Sequence, residues 1–162
     1  KDATIQPAQQ DWARYCSEMG VVNFFLGEMT SASEQAQNAR TLWQQLKDRE
    51  PTNTFYGTQL TRAGLVLATF RILNRQPEPA IAASLRALQF APDSIEAQAL
   101  LAMSYLFAGQ EEPARAILSR NKELKVGPSE TFAAAVLDDV RRLRDAEQPK
   151  VDLERLQDLL RE

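Results

Sequence analysis

Side chains able to do covalent or acid–base chemistry are few in this chain, and their spacing separates them. Cys16 is the lone cysteine, and there is no histidine. A thiol attacks as its thiolate and needs a nearby base or cation to form it. On the stripe Trp12, Tyr15, Cys16, Met19 it reads instead as a small core residue. One thiol forms no internal disulfide, and without histidine the cysteine–histidine zinc patterns are excluded. The adjacent carboxylates Glu111 with Glu112 and Asp138 with Asp139 point in different directions on a helix, which makes poor acid–base pairs. Arg141, Arg142 and Arg144 sit among Asp138, Asp139, Asp145 and Glu147, the pattern of a solvated helix face. No glycine-rich phosphate loop occurs. The expectation is a chain without catalytic residues, metal or cofactor, and not an enzyme.

What remains is a question of surfaces, and composition narrows it. At 162 residues the chain is long enough for one domain with a continuous core. Lysine and arginine number 19 against 22 acidic residues, a net charge of -3, so nothing in the bulk charge draws it to a phosphate backbone. Nucleic acid is not an expected partner. The longest apolar runs, Val21 to Leu26 and Leu100 to Ala108, fall short of the roughly 18 residues a membrane helix needs. These features fit a soluble domain of the cytoplasm or periplasm. The start at Lys1 reads as excision from a longer or membrane-anchored chain, with residues 1–10 as a linker or frayed end.

Strand signals are scarce and good helix formers dominate, which predicts an all-α chain of about eight helices punctuated by proline and glycine. The first runs from Ala8 to about Glu28 with Trp12, Tyr15, Cys16, Met19 and Asn23 to Leu26 inward. Ser31 with Glu34 forms a capping box for the second, to Arg49, which buries Ala39, Leu42, Trp43 and Leu46. After Pro51, Thr52 or Asn53 caps a long third helix that stops near Asn74. The fourth, Pro79 to Phe90, buries Ala80, Ile81, Ser84, Leu85 and Leu88. Asp93 with Glu96 caps the fifth, which ends at Gly109, and the sixth spans Glu111 to Leu124. A seventh helix from Ser129 and a last from Val151 to Arg161 complete the set.

Segments 61–94 and 95–128 align with a period of 34 residues. Leu67, Ala68, Ala80, Ala87 and Pro92 occupy positions seven, eight, twenty, twenty-seven and thirty-two of one unit. Leu101, Ala102, Tyr105, Gly109, Ala114 and Leu118 occupy seven, eight, eleven, fifteen, twenty and twenty-four of the next. Small residues at such positions let helices approach while large ones fill the gaps. An earlier unit is placed at 20–53, with Leu26 and Gly27 at seven and eight, Ala39 at twenty and Trp43 at twenty-four. On these residues the chain resembles the tetratricopeptide repeat (TPR) family over residues 20–128. Gly64 and Gln98 depart from the family's aromatic at position four, and Asn121 from its small apolar residue at twenty-seven. Pro51 and Pro92 are also 41 apart rather than 34, and the seven extra residues make about two turns that lengthen the third helix without rotating its face.

The resemblance implies a right-handed α-α superhelix, a TPR-like solenoid with C-terminal capping helices: hairpins at 11–53, 54–94 and 95–128, then capping helices over 129–162. It also implies a concave surface lined by the first helix of each hairpin. Carried over, that nominates Arg62, Leu65, Thr69, Ile72 and Leu73, then Glu96, Ala99, Met103, Leu106 and Phe107, as partner-binding residues. Most are apolar, which suits a peptide or protein segment with apolar side chains. The same residues equally fit packing against the terminal helices or a neighbouring subunit. The clamp of lysine, arginine and asparagine with which some TPR domains hold a chaperone's C-terminal carboxylate is missing, since Leu65, Thr69, Ala99 and Met103 stand there. The expected function is a non-enzymatic protein-interaction scaffold or adaptor domain. The alternative is a small TPR-type secretion chaperone that shields an apolar client segment.

Overall fold

A computed structural model describes residues 5–125 together with Thr131, Phe132, Ala135, Val136 and Asp139. The chain is all-helical: α1 Ile5–Phe25, α2 Met29–Arg49, α3 Thr54–Leu73, α4 Pro77–Phe90, α5 Ile95–Phe107 and α6 Glu111–Asn121. An isolated antiparallel bridge joins Lys125 to Thr131. Each helix packs on the next in sequence, and α3 also touches α5. The expected seventh and eighth helices fall largely outside the described residues.

Two kinds of turn alternate along the chain. After α1, α3 and α5 the backbone closes with one residue at positive φ: Gly27 at 80°, Arg75 at 56° and Gly109 at 72°. In each, the amide of the following residue reaches five residues back, Glu28 to Asn23, Gln76 to Arg71 and Gln110 to Tyr105, all at 2.8 Å. This is the left-handed helix ending that glycine adopts without steric cost. After α2 and α4 the turn carries Pro51 or Pro92 instead. Asn53 N–H donates to the Glu50 carbonyl and Ser94 N–H to that of Ala91, both at 3.0 Å. Both polar residues then cap the next helix: the Asn53 side chain accepts from Phe55 N–H and Ser94 Oγ from Ala97 N–H.

The caps correct two expectations. Ser94, not Asp93, caps α5. The Ser31–Glu34 capping box does not form, because α2 begins at Met29 after Glu28, with no side-chain cap, and Ser31 lies inside the helix.

Residues 34 apart make equivalent contacts. Ala68 and Ala102, Ala80 and Ala114, and Ser84 and Leu118 are all fully buried. A Cβ on Gly64 would lie 3.1 Å from Ala87 Cβ. Thirty-four residues later, Asn121 Nδ2 donates to Gln98 Oε1 at 2.7 Å. Positions four and twenty-seven therefore meet in both units, by close approach of Gly64 to Ala87 in one and by the Gln98–Asn121 hydrogen bond in the next.

The lengthened third helix is present: α3 has 20 residues against 13 in α5, a difference of seven. The first unit is another matter. Leu26 is 67 % exposed and Gly27 sits in the turn after α1, so they cannot be the close-packed pair of a 20–53 unit. The first hairpin is α1 with α2, and α2 has 21 residues against 14 in α4, a second seven-residue lengthening.

The interior holds three hydrophobic clusters. Ala13, Cys16, Ala39, Trp43, Leu46, Tyr56 and Leu60 join α1, α2 and α3. Ala32, Ala36, Leu67, Ala68, Phe70 and Ala83 follow, then Ile72, Ala80, Ala102, Met103, Leu118, Phe132 and Val136. Side-chain amides tie the hairpins: Gln6 and Gln10 both donate to the Tyr56 hydroxyl, and Asn74 donates to the Met29 carbonyl and Ser33 Oγ.

Candidate functional site

Helix α1 carries two stripes one residue apart, and which of them is buried decides where the open surface lies. Ala13, Cys16, Gly20 and Asn23 face inward. A Cβ on Gly20 would lie 3.3 Å from the Ala32 carbonyl oxygen and 3.5 Å from the Ala36 nitrogen, so α1 and α2 meet backbone to backbone there. The larger stripe turns outward. Trp12 is 57 % and Tyr15 48 % exposed, stacked on each other with centroids 5.1 Å apart, and Val22, Phe25 and Leu26 are exposed beyond them. This corrects the expected burial of Trp12, Tyr15, Phe25 and Leu26. Leu85, also expected inside, is exposed as well, and so is Phe55.

Between α1 and α3, over α2, lies a groove of about 700 Å³. Val21 and Val22 form one wall, Phe55 and Val66 the other, and Ala39 and Trp43 part of the floor. Trp43 is 1 % exposed, and Phe55 meets it edge-on at 5.9 Å. Arg14, Glu18, Gln59 and Arg62 supply the polar lining. Arg14 pairs with Asp11 at 3.1 Å in an exposed bridge, a contact that adds little stability in water. The groove is an apolar trough with a short charged lining, the shape that receives the apolar edge of a peptide or helix.

The nominated residues divide between different surroundings. Arg62 lines the groove. Leu65 and Thr69 are half-buried, and the Thr69 hydroxyl donates to the Leu65 carbonyl at 3.0 Å. Ile72 and Met103 are 4 % and 3 % exposed, packed in the cluster that contains Phe132 and Val136. Ala99, Leu106 and Phe107 pack against that same cluster. Leu73 is half-buried. Glu96 is exposed, and its carboxylate accepts from Ser94 Oγ at 3.0 Å. Side chains from beyond α6 thus lie with Ile72 and Met103, while the α1–α3 end has an open trough.

The sequence reading missed Val21, Val22, Phe55 and Val66 as groove residues. The signal was the pair of stripes on α1: with Gly20 in the small stripe, that is the face able to approach another backbone, and the bulky stripe is left outward.

Burial pushes the Cys16 thiol above its ordinary value, which keeps it protonated and inert. Among the described residues no group of three cysteine, aspartate or glutamate side chains could hold a metal ion. No helix among them is long and apolar enough to cross a membrane. Comparison with known proteins finds no matching family model, and no match among curated proteins or solved structures.

Proposed function

We propose that the chain is a non-catalytic protein-interaction domain of tetratricopeptide type, and that the groove between α1 and α3 receives an apolar segment of a partner protein. The observation that carries this reading is the groove itself, with Val21, Val22, Phe55 and Val66 around the buried face of Trp43. Its surroundings add weight. A soluble chain seldom leaves large apolar side chains adjacent in water without a use, and Trp12, Tyr15 and Phe25 stand exposed on the same helix that forms one wall, with Leu26 exposed in the turn that follows. Aromatic side chains of this kind anchor many protein interfaces. Arg62 at the lining suits a partner with a carboxylate flanking its apolar residues.

The test is selection of peptides from a displayed library on the intact chain, followed by titration of the selected peptides. Val22→Asp and Val66→Asp each place a charge on a wall that a bound peptide dehydrates, and each is expected to weaken binding at least tenfold while the far-ultraviolet circular dichroism is retained. Glu96→Lys, on exposed α5 surface away from the groove, leaves affinity unchanged. Selected peptides that bind both groove variants as tightly as the parent chain would refute the assignment.

A further inference from the structure

The opposite side of α3 carries a second concavity. It lies between α2, α3 and α4, has a volume of about 340 Å³, and is lined by Arg40, Gln44, Leu60, Gly64, Arg86, Gln89 and Phe90. Helix α3 faces the groove with Gln59, Arg62 and Val66, and this cleft with Leu60 and Gly64. Two arginines and two amides line it, and no acidic side chain does.

That composition is unusual in a chain whose net charge is -3. Arg40 Nε is buried without a hydrogen-bond partner, and neither guanidinium has a hydrogen bond or ion pair among the described residues. Burial and then the charge of Arg86 hold the Arg40 guanidinium below its ordinary value, so the two cations repel each other across the cleft. Proteins rarely leave a partly buried guanidinium beside a second one with nothing between them, because desolvation and repulsion act in the same direction. A doubly charged oxyanion relieves both. The guanidinium fork matches carboxylate and phosphate oxygens two at a time, and the Gln89 amide adds N–H donors that tolerate either anion, while Gln44 Nε2, which donates to Asp48 Oδ1 at 2.8 Å, has its second N–H left to offer. Leu60 and Phe90 give the site an apolar side, where such hydrogen bonds weaken less than they do in water. The volume lies within the range of small-ligand sites.

We infer that Arg40 and Arg86 form a binding site for a small oxyanion, a phosphate or a dicarboxylate, in the cleft between α2, α3 and α4. The site is separate from the α1–α3 groove and does not depend on what that groove binds.

The experiment uses the whole chain with pyrophosphate and succinate as probes, each at matched ionic strength against chloride, read by isothermal titration and by thermal melting. One of the two is expected to bind at a single site and raise the melting temperature, and the tighter of the pair identifies the source of the anion. Arg40→Gln and Arg86→Gln should each weaken that binding by about tenfold to a hundredfold, the loss of one charge-assisted contact. Arg120→Gln, an exposed arginine in the last turn of α6, should leave it unchanged. Without anion, both cleft variants should melt at or above the parent temperature because the repulsion is gone. Arg86 is exposed, so its variant decides the matter if Arg40→Gln does not fold. Absence of binding by both probes overturns the inference, and so does equal affinity in Arg86→Gln and the parent chain.

Discussion

Putting alanine at position 64 sets two opposed effects against each other at the closest approach of α3 and α4. In a helix interior alanine is favoured over glycine by about 1 kcal/mol, so propensity alone makes the variant more stable. The added methyl, however, lies 3.1 Å from Ala87 Cβ, tighter than most side-chain carbons settle, and 3.4 Å from the Ala83 carbonyl oxygen. Both neighbours belong to a packed helix face, Ala83 and Ala87 being 4 % and 1 % exposed, so α4 must shift as a unit to make room. Overpacking of this kind costs about 1–3 kcal/mol. The net expectation for Gly64→Ala is a loss of about 0–2 kcal/mol. Ala87→Gly removes the facing methyl; alone it costs about 1 kcal/mol in propensity, plus whatever packing the methyl supplied. In the double variant the propensity changes cancel and the clash is gone, so it should exceed the sum of the single changes by about 1–3 kcal/mol of coupling. Urea unfolding followed by circular dichroism measures all three. A coupling within error of zero would mean that positions 64 and 87 do not touch, and the equivalence with Gln98 and Asn121 would lose its basis.

Met103→Asp should unfold the C-terminal part or cost about 4 kcal/mol or more, since a charge would enter the cluster with Ile72, Ala102 and Leu118; a melting temperature equal to the parent's would show that the position is open. Asn53→Ala removes the cap on α3 and should cost about 1 kcal/mol in urea unfolding; no loss would mean that the cap is spare. The Cys16 thiol, buried and shifted upward, should resist alkylation at neutral pH and react only at the rate of unfolding; fast labelling of the folded chain would contradict its placement. The Glu50 carboxylate is held below its ordinary 4.5 by hydrogen bonds from Gln6 and then Asn53. A depressed folded-state value gives stability that is present above pH 4.5 and lost as pH falls through the lower folded value. Gln6→Ala should flatten that acid limb of a melting-versus-pH curve; an unchanged limb would exclude the contact.

Much of the architecture was legible because punctuation here is chemical. Pro51 and Pro92 stop helices by removing amide donors, and Gly109 permits a positive φ. The period of 34 rested on alanines that pack without space to spare, and Ala68, Ala80, Ala102 and Ala114 are fully buried. Arg75 takes the same left-handed turn position as Gly27 and Gly109, which no residue preference announces. The repeat register of the 20–53 unit was misread because seven residues were missing from the count. Two full turns in α2 leave the helical face unrotated, so a register slipped by seven still places Ala39 and Trp43 inward while it puts Gly27 inside a helix.

Little of the groove was legible. Arg62, nominated through the family pattern, lines it, but apolar residues at helical spacing do not say which stripe is core, and on α1 the larger one is outside. Ile72 and Met103 illustrate the other half of the difficulty: they are buried with Phe132 and Val136, residues 60 and 29 positions further on or more, a proximity that spacing within one unit cannot express.

A partner segment between α1 and α3 can be located chemically. The most direct measurement is photo-crosslinking from a selected peptide carrying a benzophenone at its central apolar residue, with the labelled positions on the chain identified by mass spectrometry. Label is expected on Val21, Val22, Phe55, Val66 and their neighbours, lost when unlabelled peptide competes. Competed label confined to α5 or α6 would contradict that placement.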